Sequence, residues 1–184
     1  KTVEAIVLTG GSTAGLECSI GVMDYLNSPS VVGAVIYDRK IGKDERPHLK
    51  DGFEMAKNSS YTNLEQGNVG VGTGATTGKW IYKNRLKGGF GISIKEISNN
   101  VYIGAFVVIN SVGDVINPVT KDFYSESGKY NFNNYYNKNF GNNHIERGTN
   151  TTLAVIVTNV EMSREELIKV SELAQDGMAR AVYP

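Results

Sequence analysis

Few residues in this chain sit where chemistry needs them, and the clearest is a threonine. In "GTNTTLAVIVTN" a polar run stops at Asn150, and an apolar strand opens on two hydroxyls, Thr151 and Thr152. A hydroxyl at the head of a buried strand, behind a loop, is what a self-cleaving hydrolase requires. Its oxygen attacks the preceding carbonyl, the amide shifts to an ester, and water releases the upstream piece. The new terminal threonine then carries an α-amine beside its hydroxyl. That amine, with an ordinary pKa of about 7.7–8.0, can serve as the hydroxyl's own base. The plain alternative is a strand that begins with threonine because threonine suits strands.

Other candidates carry weaker signals. "GNVGVGTGATTGKW" holds Gly67, Gly70, Gly72, Gly74 and Gly78. It approaches a phosphate-binding loop, but three residues separate Gly74 from Gly78 where four are needed. Trp80 follows Lys79 where a metal-binding hydroxyl belongs. The glycines read equally as places where the backbone passes close to a neighbour. "LTGGS" puts Gly10, Gly11 and Ser12 ahead of a helix, a possible anion or substrate contact and also a tight strand-to-helix turn. His48 and His144 are far apart and Cys18 stands alone, so metal-ligand spacing is absent. No nucleophile elbow of the "GxSxG" type occurs.

The elements that must position these residues alternate between strands and helices. "VEAIVLTGG" reads as a buried strand and turn. Ser12 is expected to cap a helix over "STAGLECSIGVMDYL", with Leu16, Ile20 and Met23 on one face. Val31 to Asp38 is a second strand, and a short helix is expected around Gly52 to Lys57. "LKGGFGISIKEI" and Val101 to Asn110 form a hairpin through Ser98 to Asn100. Residues 117–150 make a polar loop rich in asparagine and tyrosine. The final helix starts on a capping box, Ser163 with Glu166. Its apolar face is Leu167, Val170, Ala174, Met178 and Ala181. Apolar strands among amphipathic helices suggest stacked sheets covered by helices.

Bulk numbers narrow the class. The 184 residues suffice for one domain with a core. Formal net charge is zero, which offers nothing to steer toward nucleic acid or an anionic membrane. No apolar run approaches the roughly 18–20 residues of a membrane span. Lys1 leads straight into a strand pattern without a signal-peptide signature. One cysteine excludes an internal disulfide framework and fits a reducing, cytoplasmic setting.

Five segments together carry a resemblance: "AIVLTGGSTAGL", "VVGAVIYD", "GNVGVGTGATTGKW", "GAFVVINSVGDVINP", and "NTTLAVIVTN" with the helix ending "AQDGMARAVYP". In that order they resemble the DmpA-type self-processing aminopeptidases, the L-aminopeptidase/D-esterase hydrolases. The resemblance implies a four-layer αββα sandwich and cleavage between Asn150 and Thr151, with Thr151 as nucleophile. It implies that Asn110, in "INSVGD", donates to the oxyanion, and that Tyr37, in "VIYD", supplies a second donor near the oxyanion or substrate. It implies no metal or organic cofactor, a small peptide, amide or ester substrate, and a homo-oligomer, expected to be a tetramer. Family members carry a further N-terminal segment, and some carry C-terminal site residues beyond the position of Pro184. The sequence is therefore expected to correspond to part of a longer chain. Two other functions fit some of the same features: acyl transfer to an amine, as in the related ornithine acetyltransferases, and a phosphate- or nucleotide-binding module.

Overall fold

The computed structural model describes residues 2–62, 64–79, 85–124 and 149–183. Its first half is a β-α-β unit. Strand β1 (Ala5–Thr9) pairs in parallel with β2 (Val31–Val35). The connection runs through a 3-10 turn (Ser12–Leu16) into helix α1 (Glu17–Leu26). Parallel strands need such a crossover, and the helix supplies it. Strand β2 ends three residues before the expected Asp38. Ile36 still donates its N–H to the Thr9 carbonyl at 3.0 Å. Beyond it the chain turns so that the Asp38 carboxylate accepts the Gly11 N–H at 2.7 Å.

The cap of this first helical segment differs from expectation. Gly11, not Ser12, stands at the N-cap position, with φ 83°. Ser12 lies inside the turn with φ 55°, and its side chain makes no capping bond. The left-handed corner falls on glycine, where no Cβ opposes it, and Ser12 is carried past the position from which a hydroxyl could cap.

Helix α2 (Leu49–Lys57) begins earlier than "around Gly52", because Asp51 accepts the His48 N–H at 2.8 Å and fixes the first turn. Helices α1 and α2 pack backbone to backbone. A Cβ on Gly21 would overlap the Leu49 carbonyl oxygen, and one on Gly52 would overlap the Cys18 carbonyl oxygen. One small core, Val7, Cys18 and Val22, lies between the β1–β2 pair and these helices.

The second half is antiparallel. Short strands β3 (Thr76–Thr77) and β4 (Leu86–Lys87) pair with each other. The hairpin of β5 (Gly89–Ser98) and β6 (Val101–Ile109) forms as expected, turning at Asn100 with φ 58°. After β7 (Asp114–Val115), strand β8 (Leu153–Thr158) joins β6 on its other side. Residues 117–124 form a turn rather than open loop: Asn117 Oδ1 accepts the N–H groups of Val119 and Thr120, and Ile116 bridges to Phe123. The rest of the asparagine-rich loop, with His144, lies outside the described residues.

Helix α3 (Arg164–Ala181) carries the expected capping box. Ser163 Oγ accepts from the Glu166 N–H, and the Glu166 carboxylate accepts from the Ser163 N–H. Val170, Ala174, Met178 and Ala181 are its half-buried positions, while Leu167 is 50% exposed. Strand β9 (Val182–Tyr183) then pairs with β7. The architecture is mixed α/β, and among the described residues the largest sheet has the order β5-β6-β8. Its core residues Ile36, Ala75 and Val108, with Leu8 and Leu153 against them, lie directly beneath the site.

Candidate active site

Strands β6 and β8 are neighbours whose ends lead toward the two main predicted residues, Asn110 and Thr151. Their antiparallel register pairs Val108 with Leu153. That is the last pair of the ladder: Asn110 follows the end of β6, and Thr151 lies two residues before β8 begins. Opposed residues on antiparallel strands project to the same face. Here that is the face of fully buried Val108. The junction predicted from "NTT" lies just ahead of β8, and one ammonium, that of Lys79, bonds both Asn110 Oδ1 and the carbonyl of Thr149, the residue before Asn150.

Asn110 is completely buried, and its amide is fully specified. Oδ1 accepts the Thr76 N–H at 3.1 Å and the Lys79 ammonium at 2.7 Å. Nδ2 donates to the Tyr37 carbonyl at 3.3 Å. Donors on one side and an acceptor on the other fix which end of the amide is which. Nδ2 carries two hydrogens, and the Tyr37 carbonyl takes one of them. The cation on Oδ1 polarises the amide and strengthens that donor.

Lys79 is the residue that motif reading missed. Its ammonium reaches the Asn110 carbonyl at 2.9 Å, Asn110 Oδ1, and the Thr149 carbonyl at 3.3 Å. Two backbone bonds aim it there. Gly78 and Lys79 donate their N–H groups to the Gly113 and Val112 carbonyls at 3.0 and 2.8 Å. Gly78, with φ 64°, makes the corner, and the Asp114 carboxylate fills the space its Cβ would take. Burial, and then the nearby positive charge of Arg85, pull the Lys79 ammonium down to about 8. A lysine so placed changes protonation state near neutral pH, which makes it a candidate proton carrier. The near-miss phosphate loop is the stretch of sequence that carries this lysine.

Tyr37 is half-buried, and its backbone carbonyl, rather than its hydroxyl, meets Asn110. Its side chain lines an open cleft of about 740 Å³ with Ser12, Thr13, Ala14, Arg39 and Asp44. Lys40 Nζ lies 5.9 Å from the ring centroid. This puts Ser12, one of the three proposed substrate contacts, on the same cleft as Tyr37. Gly10 and Gly11 are held against Asp38, whose carboxylate fills the position of any Cβ at Gly10. The anion-binding reading of "LTGGS" loses its donors. The Gly11 N–H is taken by Asp38, and the Ser12 N–H by the Ile36 carbonyl at 3.1 Å. His48 is the N-cap of α2, with Nδ1 3.5 Å from the Glu17 carboxylate.

Comparison with known proteins gives the same picture. The chain is 31% identical over 210 residues to an uncharacterized aminopeptidase of Mycobacterium leprae, covering all of this chain and 56% of that protein. An uncharacterized aminopeptidase of Mycobacterium tuberculosis is 29% identical over 220 residues, covering all of this chain and 58% of that protein. A 6-aminohexanoate-oligomer endohydrolase of Paenarthrobacter ureafaciens is 28% identical over 199 residues, with 98% of this chain and 56% of that protein covered. The chain thus spans a little over half the length of these relatives. Residues 1–184 match the profile of peptidase family S58. By its match to the profile over residues 1–184, this chain belongs to peptidase family S58, the DmpA-type family that its segments resemble.

Proposed function

We propose that this chain is the catalytic part of a self-activated hydrolase of small peptides, amides or esters, with Thr151 as its N-terminal nucleophile and aminopeptidase activity. The observation that supports the reading is the Lys79 ammonium, which bonds Asn110 Oδ1 at 2.7 Å and the Thr149 carbonyl, next to the proposed cleavage point, at 3.3 Å. Family membership and the printed names of the relatives support amide hydrolysis. The four-layer sandwich and the tetramer are part of the same proposal. Ile94, Ile97 and Leu173, exposed at 54, 63 and 56%, leave apolar surface on which further layers or copies would pack. A reducing, cytoplasmic setting is proposed from the single Cys18.

Two stages follow from the groups present. Before cleavage the Thr151 nitrogen is an amide and cannot take a proton. Neutral Lys79 then accepts the hydroxyl proton as Oγ attacks the Asn150 carbonyl, and the spare Asn110 N–H receives the oxyanion. The C–N bond breaks, the amide nitrogen takes the proton, and an ester links Asn150 to Thr151 Oγ. Water hydrolyses it. The freed α-amine now stands beside the hydroxyl and acts as base for each substrate, whose acyl group passes to the same oxygen and then to water. The Tyr37 hydroxyl serves as a further donor on the cleft side.

Denaturing mass spectrometry of the purified protein tests this. Two polypeptides are expected, the second beginning at Thr151. Thr151→Ala should give one uncut, inactive chain, and Thr151→Ser should still cut. A single uncut chain in active protein would overturn the nucleophile assignment.

A further inference from the structure

The cleft beside Tyr37 gathers hydrogen-bond donors. One wall is the 3-10 turn after β1, with Ser12 and Thr13; the other is the segment after β2, with Arg39, Lys40 and Asp44. Ser12 is 7% exposed, and its Oγ has no hydrogen-bond partner among the described residues. A buried hydroxyl is normally paired, and leaving it unpaired costs stability. The Ser12 N–H is taken by the Ile36 carbonyl, so the hydroxyl is what this residue has left to offer a ligand.

The opposite wall is cationic. Arg39 Nε and Nη2 donate to the two carboxylate oxygens of Asp44 at 2.8 and 3.0 Å. A guanidinium has further N–H groups beyond these, and the paired bonds fix its plane. Lys40 Nζ lies over the Tyr37 ring, 5.9 Å from its centroid. Two cations against one carboxylate leave the wall with a net positive charge. A carboxylate monoanion balances that charge, whereas a phosphate dianion would bring an excess beside Asp44.

The cleft also has a definite place relative to the reacting bond. The Oδ1 end of the Asn110 amide faces Lys79, which holds the Thr149 carbonyl upstream of the acyl residue. The Nδ2 end faces the Tyr37 carbonyl, and Tyr37 itself lines the cleft. The acyl chain therefore runs toward Lys79, and the leaving amine toward Tyr37. We propose that the cleft is a carboxylate subsite on the leaving-group side, in which the Ser12 hydroxyl, Arg39 and Lys40 take the C-terminal carboxylate of a short peptide. The enzyme then selects dipeptides and comparable short acids over the corresponding amides. This rests on the assignment of Thr151 as nucleophile, and names the substrate class for that reaction.

The test measures kcat and KM of the purified, processed protein on alanyl-alanine, its C-terminal amide, and alanyl-aspartic acid α-amide. The last has the same net charge as alanyl-alanine, with the carboxylate moved to a side chain. Alanyl-alanine is expected to have a KM about tenfold below that of its amide, near the low end of what hydrogen bonds to a charged group supply. Their kcat values should match, because the contact is made equally in ground and transition states. Two variants locate the effect. Ser12→Gly removes the hydroxyl at a φ of 55° that glycine adopts without strain, and Lys40→Gln removes one cation. Each should shrink the KM ratio of amide to acid toward one. Equal KM values for acid and amide in wild type overturn the proposal. So does a ratio unchanged in both variants, because the overall charge of the site would then account for it. An α-amide of alanyl-aspartic acid that binds as well as alanyl-alanine overturns the assignment to a terminal carboxylate. Protein that stays uncut by mass and turns over none of the three refutes the Thr151 reading, and this subsite with it. Turnover without the preference refutes the subsite alone.

Discussion

At the scale of single residues, the site depends on how Asn110 and Lys79 divide their bonds. Removing one preorganised oxyanion donor costs roughly 10²–10³ in turnover. Asn110→Ala should lower kcat by about that factor on an aminoacyl p-nitroanilide, and should slow self-cleavage too, since both reactions pass through an oxyanion. Unchanged rates in a folded variant would return Asn110 to the role of a turn residue after a strand. Lys79 separates the two reactions differently. Lys79→Arg keeps a positive charge on Asn110 but stays protonated at any working pH. It should leave the chain uncut for far longer than wild type, as read by the fraction of intact mass after a fixed time at pH 8. Processing at the wild-type rate would remove Lys79 as the base of the first stage. The sequence displayed Asn110 and Thr151 because both belong to contiguous, recognisable segments. It showed Lys79 too, within the glycine-rich segment, but not its position against Asn110, which depends on Gly78 turning the chain and on Val112 and Gly113 receiving it.

At the scale of elements, local signals were the legible ones. The Ser163–Glu166 capping box and the β5–β6 hairpin are encoded within a few residues, and they form as written. The cap at Ser12 was not legible, because its neighbour Gly11 takes the left-handed corner under the pull of Asp38, which lies 27 residues away. Glycines show the same division. Gly21 and Gly52 permit α1 and α2 to touch through their backbones, so Gly21→Ala pushes a methyl group into the Leu49 carbonyl. That overpacking should cost about 1–3 kcal/mol, read as a fall of several degrees in melting temperature. Gly177, within α3, has open space where its Cβ would stand. Gly177→Ala should instead stabilise by up to about 1 kcal/mol, from helix propensity alone. Equal effects at the two positions would mean that the α1–α2 contact is not close-packed.

At the scale of the whole molecule, the proposed cleavage changes the charge of the site. Among the described residues at the site, the uncut chain holds Lys79, lowered to about 8. Its neutral form is the competent one, so the rate of self-cleavage should rise with pH and level off above about 8. The cut protein adds the Thr151 α-amine, with an unperturbed pKa of about 7.7–8.0. Two neighbouring cations disfavour each other, and burial disfavours both, so every one of these effects lowers the first proton loss. The profile of kcat/KM in the processed enzyme should therefore rise at lower pH than the profile of self-cleavage. Following intact mass against time across pH 6–9 gives the first curve, and p-nitroanilide hydrolysis by fully processed protein gives the second. His48 carries an ionisable imidazole, so both curves are repeated in His48→Gln. It lies beside Glu17 rather than Asn110, and its removal should shift neither curve. Coincident midpoints in wild type would mean that one base serves both stages. A rising limb lost with His48 would take the role from the α-amine altogether.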